Sequence, residues 1–300
     1  MIAVLLAGIA GRLLARKIAT PLEELASAAT AVSKGDLKQA VSTNTEISEL
    51  QSVSKTFNEM VTNLRQSDEV KKAFIADVTH ELRTPLTVIK GTVETLEDGA
   101  LDDLEGRSSL LTSMMRETDR LIRMVTGLLV LTRADAGSLN LNIQNLDLAE
   151  LVKMRCETMS LMATRQKVEL RVDNSPSSLM ISADPDRISQ VLDNLLANAI
   201  RHSPENATVT IKIESKDSSV ECAVSDSGTG IPAKHLPFIF DRFYRVESSR
   251  DRSSGGTGLG LAIARALVTA HGGNISATSV EGKGITVTFW LPRAQTFPDV

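Results

Sequence analysis

The chain is poor in cysteine, in aromatic residues and in long uninterrupted apolar sequence. Two cysteines, Cys156 and Cys222, occur in 300 residues. Neither has a Cys-x-x-Cys partner or a nearby ligating histidine. That excludes a disulfide framework and a cysteine zinc site, and it predicts two reduced, half-buried packing residues in a cytosolic setting. Aromatic residues make up 3% and the net charge is −4. No basic stretch is interleaved with aromatics, so nothing points to nucleic acid. The N-terminal run M-I-A-V-L-L-A-G-I-A-G carries no charge over eleven residues, short of the roughly 20 that a bilayer span needs. It has no positive segment before it and no clear cleavage site after it, which makes it a poor signal peptide. Arg12, Arg16 and Lys17 follow, as at the cytoplasmic exit of a membrane helix. The expectation is that residues 1–11 end a transmembrane helix of a longer protein in the inner (cytoplasmic) membrane, with a buried amphipathic first helix as the alternative. Residues from about 12 onward would then lie in the cytoplasm. No extracytoplasmic sensor is visible in the sequence.

What is present is a series of amphipathic segments followed by a change of character. Length alone suggests about two or three domains. Thr20-Pro21 reads as a helix N-cap with proline at the first helical position. Leu22, Leu25, Ala28 or Ala29, and Val32 make a heptad-like stripe that ends at Gly35-Asp36. After a polar connector, Ile47, Leu50, Val53 or Ser54, Phe57, Met60 or Val61, and Leu64 make a second stripe. Two short helices of this kind cannot bury their stripes alone, so a parallel dimeric bundle is expected. Two longer helices are predicted over 68–97 and 105–135, joined by a short turn around Asp98-Gly99. The first carries Val70, Phe74, Val78, Leu82, Leu86, Ile89, Val93 and Leu96; the second carries Leu110, Leu111, Met114, Leu121, Met124, Val125, Leu128, Leu129 and Leu131. Such a hairpin has apolar surface left over, which two chains would bury as a four-helix bundle.

After Ala136-Gly137, helices alternate with strands of period two. Asp147 and Glu150 form a capping-box pattern. Val168/Leu170/Val172, Val209/Ile211/Ile213, Val220/Cys222/Val224 and Ile285/Val287/Phe289/Leu291 each alternate, predicting a mixed sheet covered by helices on one side.

Three segments in this half carry chemistry. A helix opened by Asp184-Pro185 places Asn194 and Asn198 four residues apart on one face, extended by Arg201 and His202. Two carboxamides and two basic groups in line suit a phosphate chain with Mg²⁺, a hard cation that shares phosphate oxygens; a solvated polar face fits the same pattern. D-S-G-T-G-I (226–231) follows a strand. Its aspartate could accept from an exocyclic amine such as that of adenine, and read alone it is also a plain Asp-Ser-Gly turn. G-G-T-G-L-G-L (255–261) precedes a helix, where exposed amides bind phosphate. It is neither a Walker loop nor a dinucleotide fingerprint, because no Gly-Lys-Ser/Thr follows and the spacing and position are wrong. Between the glycine segments lie F-I-F-D-R-F-Y-R and the charged stretch E-S-S-R-D-R-S-S, which reads as a mobile lid.

The order asparagine helix, D-x-G-x-G, aromatic-arginine box, G-x-G-x-G is more specific than any one piece. With V-T-H-E-L-R-T-P-L at 78–86, the chain resembles bacterial sensor histidine kinases of two-component systems, and the match covers nearly all of it. The implied fold is multidomain: α-helical coiled-coil and four-helix-bundle dimerisation modules, then an α/β sandwich that binds ATP. Residues 12–66 resemble the HAMP signalling module (T-P-L-E-E-L, G-D-L, F-N-E-M). Residues 67–136 resemble the dimerisation and histidine phosphotransfer hairpin, and residues 147–294 the gyrase/Hsp90-like ATP-binding domain. Ser48 stands where HAMP modules usually carry a glycine two places after an acidic residue, here Glu46.

The resemblance implies roles residue by residue. His80 would accept the phosphoryl group, since neutral imidazole is a fair nucleophile near pH 7. Glu81 would fix its tautomer and take its proton. Thr84 would help place the water that dephosphorylates the partner regulator. Pro85 removes a backbone hydrogen bond and bends the helix. Asn194 and Asn198 would hold Mg²⁺ and phosphates, with Arg201 and His202 near the phosphates, and Asp226 would read adenine. Gly228, Gly230, Ile231, Gly256, Thr257, Gly258, Leu259 and Gly260 would shape the nucleotide pocket and its lid. Arg242 or Arg245 would stabilise charge on the transferring group. His235 reads as a surface residue, and His271 as a helix C-terminal position favouring partial positive charge. The implied partners are a second copy of the chain and the receiver domain of a response regulator. Two other classes share parts of this pattern. A gyrase/Hsp90-type ATPase would not need His80-Glu81, and a non-catalytic scaffold would not need intact asparagine and glycine boxes.

Overall fold

The computed structural model describes residues 1–44, 47–100, 103–173, 178–216, 219–246 and 256–293. Glu46, the lid expected over 247–254 and the domain end expected at 294 lie outside them. The chain divides into two compact units, Met1–His80 and Glu81–Val300.

The first unit is helical. Helix α1 (Ile2–Leu14) runs through a wider π-type turn at Ala15–Ala19 into α2 (Thr20–Ser33). Thr20 is therefore not a cap. The chain is already helical at Ala19 and no side chain caps α2, because an upstream helix supplies the carbonyls that a free start would lack. Gly35, at φ +95°, ends the helix as expected. Among the described residues no helix is long and apolar enough to cross a membrane. Helix α3 (Ser48–Thr95) begins in this unit. Ala28, Phe57 and Val61 form its core, with Leu25, Val32 and Val41 against them. The connector is pinned by one side chain: Asn58 donates to the Val41 carbonyl at 2.9 Å and accepts from its amide at 3.0 Å.

The sequence predicts separate helices before and after residue 67, but α3 is continuous across that point for 48 residues. Residues 65–72 contain no glycine or proline, and Arg65–Glu69 and Asp68–Lys72 pairs span the junction at helical spacing. Both support uninterrupted helix. Pro85 lies inside α3 and is buried.

In the second unit, a π-type turn at Leu96–Ala100 is followed by α4 (Leu104–Asp135), capped by Asp103, whose carboxylate accepts from the Glu105 amide. A five-stranded sheet then assembles from β2 (Glu169–Asp173), β4 (Thr208–Ser215), β5 (Ser219–Ser225), β6 (Asn274–Val280) and β7 (Gly284–Pro292) in the order β2-β4-β5-β7-β6. Only β2–β4 is parallel, so the sheet is mixed, as its alternating strands predict. Two short strands not legible in the sequence, β1 (Gln144–Asp147) and β3 (Met180–Ala183), pair apart from it. Each has four residues, too few for a period to register.

Helices α5 (Leu148–Arg165), α6 (Pro185–His202) and α7 (Gly260–Ala270) complete the α/β layers. Ile188, Val191, Leu192, Leu195, Leu196 and Ala199 of α6 are buried in one core with Ile211, Ile213, Cys222 and Phe289 of the sheet. Burying each such aliphatic chain contributes about 1.5–3 kcal/mol before chain entropy is subtracted. Met124, Val130 and Leu131 of α4 belong to the same core, with Leu82 of α3 packed on it. The contact between α4 and α7 needs a missing side chain: a Cβ on Gly127 would lie 2.7 Å from Ile263 Cδ1.

Two expectations change here. Cys222 is wholly buried rather than half-buried, and burial pushes its thiol far up, whereas Cys156 is half-buried and pushed up to about 11 for the same reason. His271 is buried and bonded at both ring nitrogens: Nε2 accepts the Asp184 amide at 3.0 Å, so Nδ1 donates to the Leu267 carbonyl at 2.7 Å. It ties the end of α7 to the start of α6 as a neutral ring, not a helix-end cation. Asp184 in turn caps α6, accepting from the Asp186 and Arg187 amides.

Candidate functional site

One cavity of about 510 Å³ opens between α6, α7, the ends of β5 and β7, and the C-terminal half of α4. Helix α6 supplies its polar wall because its other face is consumed by the core. Asn194, Asn198, Arg201 and His202 all line the cavity. Asn194 Nδ2 is buried and makes no hydrogen bond among the described residues. Turning the amide would present its oxygen instead, so the position suits a bound ligand or cation and is costly without one.

At the other end stands Asp226, just beyond β5. Its Oδ1 accepts the Gly228 amide at 2.9 Å and the Ile285 amide at 3.4 Å. Burial raises its carboxyl pKa, and these two amides pull it partly back. Its Oδ2 has no partner among the described residues. Val224, Ile239, Ile285 and Val287 supply an apolar surround. A flat heterocycle with an exocyclic amine fits such a lining. Gly230 sits at φ +67°, and a Cβ there would run into the Val280 carbonyl, so this turn admits no other residue without shifting β6.

The remaining wall is the second glycine segment and the start of α7. Gly256, Thr257, Gly258 and Gly260 line the cavity, as do Ile231 and Arg245. No side chain caps α7, so its first amides are available to an anion. Gly260 abuts the Asn194 amide, a Cβ there falling 3.3 Å from Oδ1. Arg245 reaches the Gly256 carbonyl at 3.4 Å, and Arg201 Nη1 lies 3.2 Å from where a Gly256 Cβ would be. Three guanidinium groups, those of Arg123, Arg201 and Arg245, line the cavity with one carboxylate, that of Asp226. Burial lowers the Arg201 pKa, and the like charges of Arg123 and Arg245 lower it further. His202 is lowered by burial of its inner face and by Arg201, against the pull of Asp226.

Three expected pocket residues do not line the cavity. Arg242 turns away to an ion pair with Asp135 at the end of α4, at 2.5 Å, which leaves Arg245 as the arginine of that box in the cavity. Leu259 is buried in the core beneath α7. Gly228 lies under the pocket floor, where a Cβ would meet the His202 carbonyl. Conversely, sequence reasoning missed Ile122, Arg123, Thr126 and Gly127 of α4, together with Gln190 and Thr229. The α4 residues sit in a segment whose only sequence signal is an apolar stripe.

The H-E-L-R-T-P segment is helical throughout. His80 is exposed and Thr84 half-buried. The Glu81 carboxylate accepts from Arg120 Nη2 of α4 at 3.2 Å, and Arg120 also lies 3.6 Å from Glu117. His235 is half-buried, its Nδ1 bonded to the Tyr244 hydroxyl at 2.6 Å.

Three family models match in succession: the HAMP domain over residues 13–66, the His Kinase A (phospho-acceptor) domain over 70–137, and the histidine kinase-, DNA gyrase B- and HSP90-like ATPase over 183–295. The sensor histidine kinase WalK of Bacillus subtilis is 40% identical over 80% of this chain and 39% of its own length. The signal transduction histidine-protein kinase BaeS of Escherichia coli is 32% identical over 97% of this chain and 61% of its own. Among solved structures, full-length ShkA in complex with AMPPNP superposes with a TM-score of 0.56 at 29% identity, covering 74% of this chain and 46% of that one. The histidine kinase ThkA in complex with the response regulator TrrA gives 0.60 at 26%, covering 83% and 68%. The chain belongs to the sensor histidine kinase family of bacterial two-component systems, and it spans 39% and 61% of the lengths of these two curated relatives.

Proposed function

We propose that the chain binds ATP with Mg²⁺, phosphorylates His80, and passes the phosphoryl group to an aspartate of a response regulator, which it can also dephosphorylate. The observation that carries the reading is the cavity itself. A carboxylate at one end suits adenine, and uncapped α7 amides, three arginines and an orphaned asparagine amide at the other suit a phosphate chain.

Asp226 accepts from the adenine amine, while Gly228, behind the floor, lets the loop close on it. Ile231 and the sheet residues hold the ring. Asn194 and Asn198 would hold Mg²⁺ through their amide oxygens, donors suited to a hard cation. When bound, the ion neutralises charge on the phosphates. Arg201, His202, Arg245 and the amides of Gly256, Thr257, Gly258 and Gly260 position those phosphates.

In the transfer step a ring nitrogen of His80 forms a bond to the terminal phosphorus as the bond to the ADP oxygen breaks. The proton on the other ring nitrogen passes to Glu81. In a separate reaction Thr84 orients the water that attacks the aspartyl phosphate of the regulator and releases inorganic phosphate. We assign residues 12–66 to the HAMP module, 67–136 to the dimerising phosphotransfer hairpin and 147–294 to the ATP-binding domain. Residues 1–11 we assign to the cytoplasmic end of a membrane helix. Support for the last comes from the arginines and lysine that follow that apolar segment and from the HAMP match.

The test is a label chase. The purified chain incubated with γ-labelled ATP and Mg²⁺ acquires acid-labile, alkali-stable label, which a purified receiver domain then removes. Steady release of phosphate with no labelled chain would favour a conformational ATPase of the gyrase/Hsp90 kind instead.

A further inference from the structure

The nucleotide cavity is not built by the ATP-binding domain alone. Helix α4, the second helix of the hairpin, contributes Ile122, Arg123, Thr126 and Gly127 to its lining. The approach is close because Gly127 lets α4 settle on Ile263 of α7. Arg123 is an exposed side chain with no hydrogen bond or ion pair among the described residues. Its charge is felt by Arg201 across the cavity, and Arg201 lies beside Gly256, whose carbonyl Arg245 reaches. Arg123 therefore stands on the side of the cavity where α4 meets the start of α7, with Arg201 and the second glycine segment. Three guanidinium groups that line one cavity repel one another. A polyanion between them turns that repulsion into attraction, and guanidinium forks match phosphate oxygens geometrically.

We propose that Arg123 is a ligand of the terminal phosphate, supplied to the nucleotide pocket by the hairpin, so that docking of the ATP-binding domain on α4 discriminates a nucleoside triphosphate from a diphosphate. The inference rests on the nucleotide reading of the cavity and adds a residue to it from outside the nucleotide-binding motifs. A triphosphate bridges α6 and α7 to α4. A diphosphate ends short of Arg123 and leaves the two held by Gly127–Ile263 packing and the Arg242–Asp135 pair.

The experiment is calorimetric titration of the full chain with Mg²⁺ and either AMPPNP or ADP, for the wild type, Arg123→Gln and Arg123→Lys. The account expects AMPPNP affinity to fall about tenfold in Arg123→Gln, the scale of one lost charge-assisted bond. ADP affinity should change less than about twofold, and Arg123→Lys should recover part of the AMPPNP loss. Retained ADP binding reports that the variant is folded. Equal losses for the two nucleotides would overturn the inference, since they would reflect general packing or charge, and so would no loss for either. If the wild type binds neither nucleotide, the ATP reading fails first and the inference falls with it.

Discussion

Asp226 is pulled in opposite directions, and the balance is measurable. Burial raises its carboxyl pKa, and the Gly228 and Ile285 amides offset part of the rise. A folded-state pKa above the unfolded value of about 3.9 means that the native chain holds the proton more firmly. The stability tied to this group is fully present below the ordinary carboxylate range and is lost as pH rises through the raised value. Asp226→Asn keeps the oxygen that accepts both amides and removes the buried charge. Without nucleotide the variant should melt higher at neutral pH and with a flatter dependence between about pH 4 and pH 7. It should also bind adenine nucleotide about tenfold or more weakly, because an amide NH₂ faces the exocyclic amine. Thermal melts and titration calorimetry check both, and unchanged melting with full affinity would contradict the assignment. That Asp226, Asn194 and Asn198 share one cavity was legible because their patterns are local: a carboxylate at a strand end and carboxamides at helical spacing. Arg123 was not, since its position depends on which face of α4 meets α7, and Gly127, which decides that, looks like an ordinary helical glycine.

At the scale of elements, periodicity identified most helices and the long strands and failed at junctions. The stripes around Phe57 and Val78 read as two helices, yet nothing between them stops one from continuing into the other. The four-residue β1 and β3 were invisible to any period. In the connector between α2 and α3, Val41 packs on the Ala28–Phe57–Val61 core and the Asn58 amide bonds to both of its backbone groups. Asn58→Ala leaves those groups partly buried and unpaired, at a cost of about 1–3 kcal/mol. The connector over 36–44 should then be cleaved faster by a broad-specificity protease, with the thermal melt of the ATP-binding domain unchanged. Equal cleavage rates in the two proteins would mean that the connector is held by something else.

At the scale of the molecule, the apolar side chains left in solvent are informative. Val70, Leu86, Leu111, Met115, Val125 and Leu129 lie on α3 and α4 and remain between 45 and 70% exposed. Nothing among the described residues covers them, and a second copy would, which is the arrangement the hairpin sequence predicts. The domain succession was legible because each module carries its own motif in its own order. What fixes how the ATP-binding domain docks on α4 was not, because it rests on packing between faces distant in sequence. The central claim is that ATP chemistry ends on His80, an exposed histidine on α3. The most direct measurement is peptide mapping of the chain after incubation with ATP and Mg²⁺, for the wild type and for His80→Gln. The account predicts one phosphoryl group on the peptide containing His80. In the variant it predicts no phosphorylation with AMPPNP affinity unchanged. Phosphoryl groups found elsewhere, or persisting in the variant, would contradict it.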